Sequence, residues 1–157
     1  MTPRFGRAPT GVRVEDAVPR NFGRNVTVLG ALSCKGLDAV MTVDSATDAQ
    51  VFRTYVNNVL VPTLQPGDVV VMDNLSAHKV AGIEEAIESA GARLIYLPPY
   101  SPELSPIENC WSKVKTSLRK AKARTRDALD AALNEAINCI TANDAKGWFN
   151  HCGYPLH

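Results

Sequence analysis

The sequence predicts an α/β fold, a mixed sheet flanked by helices, and three observations predict it. Two β-branched, apolar runs near the start, residues 25–33 and 37–43, are separated by the turn-forming Cys34-Lys35-Gly36, as in a hairpin. Two later runs, Val69-Val70-Val71-Met72 and Arg93-Leu94-Ile95-Tyr96-Leu97, are short and apolar, with a helix-patterned segment between them. The last third repeats apolar residues at three- and four-residue steps. A hairpin first and βαβ units afterwards give antiparallel and parallel pairing in one sheet, covered by helices.

The elements follow in order. Residues 1–24 are rich in Arg, Pro and Gly and have no period, so they read as a basic loop or arm. After the hairpin, residues 47–60 read as a helix capped by Thr47 or Ser45, with Val51, Phe52, Tyr55, Val56 and Val59 on one face. Pro62 and Pro66-Gly67 end it. The continuous apolar run 69–72 is expected to be a strand buried on both faces, delivering Asp73 at its end. Residues 80–90 form a helix with Ile83, Ala86 and Ile87 inward, stopped by Gly91. The strand 93–97 leads into a proline-rich loop, 98–105. A helix opens at Ser105-Pro106-Ile107-Glu108 and docks through Ile107, Trp111, Val114 and Leu118. Another spans about 125–140 on Leu129, Leu133, Ala136, Ile137 and Ile140, and a short one begins near Asn143.

With 157 residues and 45% apolar content, a single compact domain is expected. No apolar run approaches the roughly 18 residues of a membrane span, and no secretory signal is visible at Met1-Thr2-Pro3-Arg4. Cys34, Cys110, Cys139 and Cys152 are scattered, without a C-x-x-C pair, and read as small apolar fillers of a reducing compartment. The net charge of +1 conceals an asymmetry, because residues 1–24 and 113–126 hold 12 of the 17 basic side chains. The second segment has seven and no acid. Phosphate backbone along one edge would explain it; a solvated helix face is the alternative.

Two carboxylates carry the chemistry. Asp73 stands at a strand end, where α/β sheets collect ligands, although a turn Asp has the same local pattern. Glu108 completes an S-x-x-E capping box with Ser105, which by itself would explain it. Along the helix, however, Glu108 is followed by Ser112, Lys115 and Arg119, an acid leading into a basic track. Thirty-four residues, positions 74 to 107, separate the two acids. A phosphotransfer receiver-like domain also puts an Asp at a strand end, but its early acidic pair and late Lys are not apparent here.

The words Asp73-Asn74-Leu75-Ser76-Ala77-His78-Lys79 and Leu97-Pro98-Pro99-Tyr100-Ser101-Pro102-Glu103-Leu104-Ser105-Pro106-Ile107-Glu108-Asn109, with Trp111 after them, resemble the mariner-like bacterial insertion-sequence transposases of the DDE superfamily. The segment from Gly6-Arg7-Ala8-Pro9 to Leu32 is similar to that family's region after its first strand. The resemblance implies an RNase H-like fold, with residues 25–157 as a partial catalytic domain. It implies Asp73 and Glu108 as the second and third of three acids holding two divalent metals, Mg²⁺ or Mn²⁺, for DNA strand cleavage and transfer. Lys79, Lys113, Lys115, Arg119 and Lys120 become candidate DNA contacts, and Asn74, His78 and Asn109 supporting residues. The implied partners are terminal inverted-repeat DNA and a second copy or a full-length transposase, in a bacterial cytoplasm at the nucleoid, with no membrane role.

The family's first acid lies on a strand upstream of the matched region. That strand, its Asp and a preceding helix-turn-helix domain are expected to be missing here. Asp16 matches a loop, and Asp38 and Asp44 are weak substitutes. A lone chain of this kind is expected to be impaired, or to serve as a non-catalytic DNA- or transposase-binding remnant, with an exposed sheet edge. Trp111 is expected to be a core anchor rather than a base-stacking platform, and Tyr100 and the prolines to set the entry of the Glu108 helix.

Overall fold

The computed structural model describes residues 7–15, 25–75 and 78–155. Most of the basic arm therefore lies outside the described residues, as do Asp16, Ser76 and Ala77. Strand β1 (Thr27–Ser33) pairs antiparallel with β2 (Gly36–Val43), and β3 (Val69–Met72) pairs parallel with β4 (Arg93–Tyr96). Helices α1 (Ala49–Tyr55), α2 (Ile83–Ser89), α3 (Pro106–Ala121), α4 (Arg126–Asn138) and α5 (Ala142–His151) complete the fold. The expected antiparallel and parallel pairings are both present. Among the described residues they form two separate two-stranded sheets instead of the single mixed sheet expected. No helix among the described residues is long and apolar enough to cross a membrane.

The two sheets share one core. Phe52 and Tyr55 of α1, followed by Val56 and Leu60 in a π-helical turn (Val56–Leu60), pack with Met72, Ile83 and Ile87. Leu29, Ala31 and Met41 reach this cluster from the hairpin, and Val70 and Leu94 from the parallel pair. A second cluster joins Cys110 and Val114 of α3 to Leu133, Ala136 and Ile140, and takes Val28, Leu32, Leu37 and Trp111 against it. The period-two alternation of β1 thus feeds two cores, 29 and 31 on one side and 28 and 32 on the other. Gly30 sits between them at a register shift in the β1–β2 ladder. A Cβ there would stand 3.2 Å from the Trp111 ring and 3.3 Å from Leu37, so the missing side chain is what lets α3 press onto the hairpin. Trp111 is a core anchor, as expected.

Several expectations are corrected. The helix predicted over 47–60 is α-helical only from Ala49, and its cap is Asp48, whose carboxylate accepts from the Val51 amide at 2.8 Å, not Thr47 or Ser45. The helix predicted from 80 starts at Ile83, after Gly82 at φ +90°. β3 is covered on one face only: Val69 is 48% and Val71 40% exposed, with Ile95 of β4 also at 40%. The hairpin has helices on both sides, whereas the parallel pair meets only the α1–α2 layer. A continuous apolar run does not distinguish these cases, because it reports hydrophobicity and not the number of layers supplied by distant chain. Tyr100 is fully exposed at φ +57°, so it packs against nothing that would steer α3.

Candidate functional site

Asp73 follows β3 directly, and the chain leaves β4 at the same edge, because the strands are parallel and the Leu97 amide donates to the Met72 carbonyl at 2.8 Å. From that edge the loop runs through a 3₁₀ turn (Pro102–Leu104) into α3, where Glu108 occupies the first turn. Both carboxylates are exposed. Ser105 makes no side-chain cap on α3, and the Glu108 amide donates to the Ser105 carbonyl instead, at 3.1 Å. The capping box that offered a purely structural account of Glu108 is therefore not formed.

The surroundings of Asp73 are more built. The Leu75 amide donates to Asp73 Oδ1 at 3.2 Å, and His78 Nδ1 lies in close contact with the same oxygen. The His78 ring stacks on Phe52, with centroids 4.3 Å apart, and its Nδ1 is sealed from solvent and makes no hydrogen bond of good geometry. The Tyr96 hydroxyl of β4 donates to the His78 carbonyl at 3.0 Å. Lys79 lies over the Tyr96 ring, 5.7 Å from its centroid. Asn74 Oδ1 is buried with no hydrogen-bond partner.

The basic residues divide. Lys115, Arg119 and Lys120 are exposed along α3. Lys113 is engaged elsewhere: its ammonium donates to Asp144 at 2.6 Å and to the Cys139 carbonyl at 3.1 Å. The Lys113 ammonium, then hydrogen bonds from the Thr141 amide and hydroxyl, hold the Asp144 carboxyl down at about 2. Thr141 and Asp144 form the capping box of α5, which the sequence reading missed although the T-x-x-D spacing was there to find. Asn109 donates to Cys152 Sγ at 3.9 Å, a contact toward α5 rather than toward Asp73. Of the substitute acids, Asp38 accepts from the Ser33 hydroxyl at 2.9 Å and Asp44 pairs with Arg126. No cluster of three or more His, Cys, Asp or Glu suited to a metal occurs among the described residues. Asp73 and Glu108 nonetheless offer hard oxygen donors of the kind Mg²⁺ and Mn²⁺ take.

Residues 1–130 match the family described as DDE superfamily endonuclease. The chain is 28% identical over 167 residues to the Transposable element Tcb2 transposase of Caenorhabditis briggsae, covering 90% of this chain and 61% of that protein. Its fold resembles that in the Mos1 Strand Transfer Complex, with TM-score 0.71 and 14% identity over 97% of this chain and 46% of the other. It likewise resembles that in the Mos1 mariner paired end complex with Mn, with TM-score 0.72 and 14% identity over 97% and 47%. The chain thus spans under two thirds of the curated relative and under half of each solved chain. With the family match running through both the strand-end Asp73 and the uncapped Glu108, this chain belongs to the DDE superfamily of endonucleases.

Proposed function

We propose that this chain carries part of the centre of a transposase, which cuts DNA at transposon ends and joins it to a new site with Mg²⁺ or Mn²⁺. Asp73 and Glu108 are the residues that would hold the ions, each through carboxylate oxygen. Bound there, two divalent ions supply activation of a water or a DNA 3′-hydroxyl and neutralise charge in an in-line phosphoryl displacement. The chain's own contribution is placement, with Asp73 fixed to the end of a strand and Glu108 to a helix anchored through Trp111. The observation that carries the reading is that both carboxylates stay open at the end of the parallel pair and the start of α3: Asp73 accepts from the Leu75 amide through Oδ1 yet remains 46% exposed, and Glu108 caps nothing. Lys115, Arg119 and Lys120 extend the site as phosphate contacts, and terminal inverted-repeat DNA is the substrate. A second copy or a full-length transposase completes the assembly.

A further strand, bearing the first acid of the three and joining the two sheets, is part of this proposal. β1 pairs only with β2, and β3 only with β4, among the described residues. The same observation favours a second reading, a non-catalytic remnant that binds DNA or a transposase without cutting. The test is Mg²⁺-dependent nicking of duplex DNA ending in the element's terminal repeat, by the chain and by Asp73→Ala and Glu108→Gln. Cleavage lost in both variants supports the first reading. Equal rates in all three proteins exclude a role for these acids, and binding without cleavage by the unaltered chain supports the second reading.

A further inference from the structure

We infer that His78 is a positioning residue that reserves one oxygen of Asp73 and leaves the other to bind the ion, an inference that rests on Asp73 being a metal ligand. The two contacts described for the Asp73 carboxylate, the Leu75 amide and His78 Nδ1, both fall on Oδ1. Neither falls on Oδ2. The turn backbone and the imidazole thus both bear on Oδ1, and Oδ2, which has no contact among the described residues, is the atom left for the ion. Outer groups that hold a ligating side chain in this way narrow its rotamers before the ion arrives, so less entropy is lost on binding.

His78 is itself held from two other elements. Phe52 of α1 supplies the face on which the ring stacks, at an interplanar angle of 28°. Tyr96 of β4 fixes the main chain through its hydroxyl. Phe52 is 4% exposed and belongs to the core cluster, so the platform under the imidazole is as rigid as the core. The ring's position is therefore set by the α1–β4 packing rather than by the turn that carries it. With Nδ1 against Oδ1, Nε2 is the nitrogen left for water or for a DNA phosphate.

The test is Mn²⁺ binding, followed by the electron paramagnetic resonance of the free ion, with thermal unfolding as a control on each variant. His78→Ala is expected to weaken Mn²⁺ about tenfold. His78→Asn, whose amide nitrogen reaches roughly the place of Nδ1, should recover most of the loss. Wild-type affinity in His78→Ala, together with loss of binding in Asp73→Ala, overturns the inference while sparing the proposed function. Equal affinity in wild type and Asp73→Ala defeats the metal reading instead. Positioning is then decided by the ¹³C resonance of the Asp73 carboxylate, which His78→Ala must shift and His78→Asn restore; an unmoved resonance overturns it. If His78→Ala fails to fold, Tyr96→Phe deletes only the hydroxyl that holds the His78 backbone. It should weaken Mn²⁺ about two- to threefold, and no change would refute the clamp.

Discussion

Replacing Asp144 by alanine removes the acceptor at which Lys113, the Thr141 amide and the Thr141 hydroxyl converge. Its magnitude can be worked from two sides. A carboxyl held from 3.8 down to about 2 by these partners corresponds to about 2.5 kcal/mol in full. With 27% of the Asp144 side chain and 38% of Lys113 open to water, screening leaves about 1 kcal/mol. Losing half of a capping box costs a comparable amount, about 1 kcal/mol, and overlaps with the first figure because the Thr141 bonds enter both. The expected loss is therefore about 1–2 kcal/mol, or about 3–6 °C in Tm for a chain of this size. The folded-state value is depressed, so the stabilisation is present in full above the ordinary carboxylate range and disappears as pH falls through about 2. Urea unfolding followed by Trp111 and Trp148 fluorescence should show the wild type ahead of Asp144→Ala at about pH 7, with most of that gap closed by about pH 2. A gap that is absent at neutral pH, or unchanged in acid, would refute the reasoning. The companion variant Lys113→Ala should lose stability similarly, yet change DNA affinity less than Lys115→Ala, because the Lys113 ammonium is occupied by Asp144.

Two further outcomes test the packing. Gly30→Val places branched carbon where Trp111 and Leu37 already stand at 3.2 and 3.3 Å, and should cost about 1–3 kcal/mol in chemical denaturation; a neutral result would mean α3 does not bear on the hairpin there. Burial pushes the Cys110 thiol up to about 11, so a disulfide reagent at about pH 8 should modify exposed Cys139 in the native protein and reach Cys110 only on unfolding, as read by peptide mass spectrometry.

Much of the fold was legible because it depends on short-range pattern. The runs at 27–33, 69–72 and 93–96 are β-branched and bounded by Gly and Pro, and they are strands within two residues of the expected limits. The α3 stripe of Ile107, Trp111, Val114 and Leu118 is a 3.6-residue repeat and docks as such. The candidate acids were legible as residue types at a spacing. Whether Glu108 was a cap was not, since Ser105 and Glu108 carry the capping pattern and the backbone entry from the Pro102–Leu104 turn decides whether the hydroxyl meets an amide.

The sequence by itself determined which segments are strands and helices, which of their faces are apolar, and the presence of two acids and a basic helix. These are properties of residues near one another in the chain, set by backbone preference and side-chain period. Only the tertiary structure decided that His78 rests on Phe52 and touches Asp73, that Lys113 belongs to Asp144, and that the parallel pair keeps an uncovered face. Each of those depends on which distant elements pack together, and no local pattern encodes a contact whose partner is supplied by another layer of the fold.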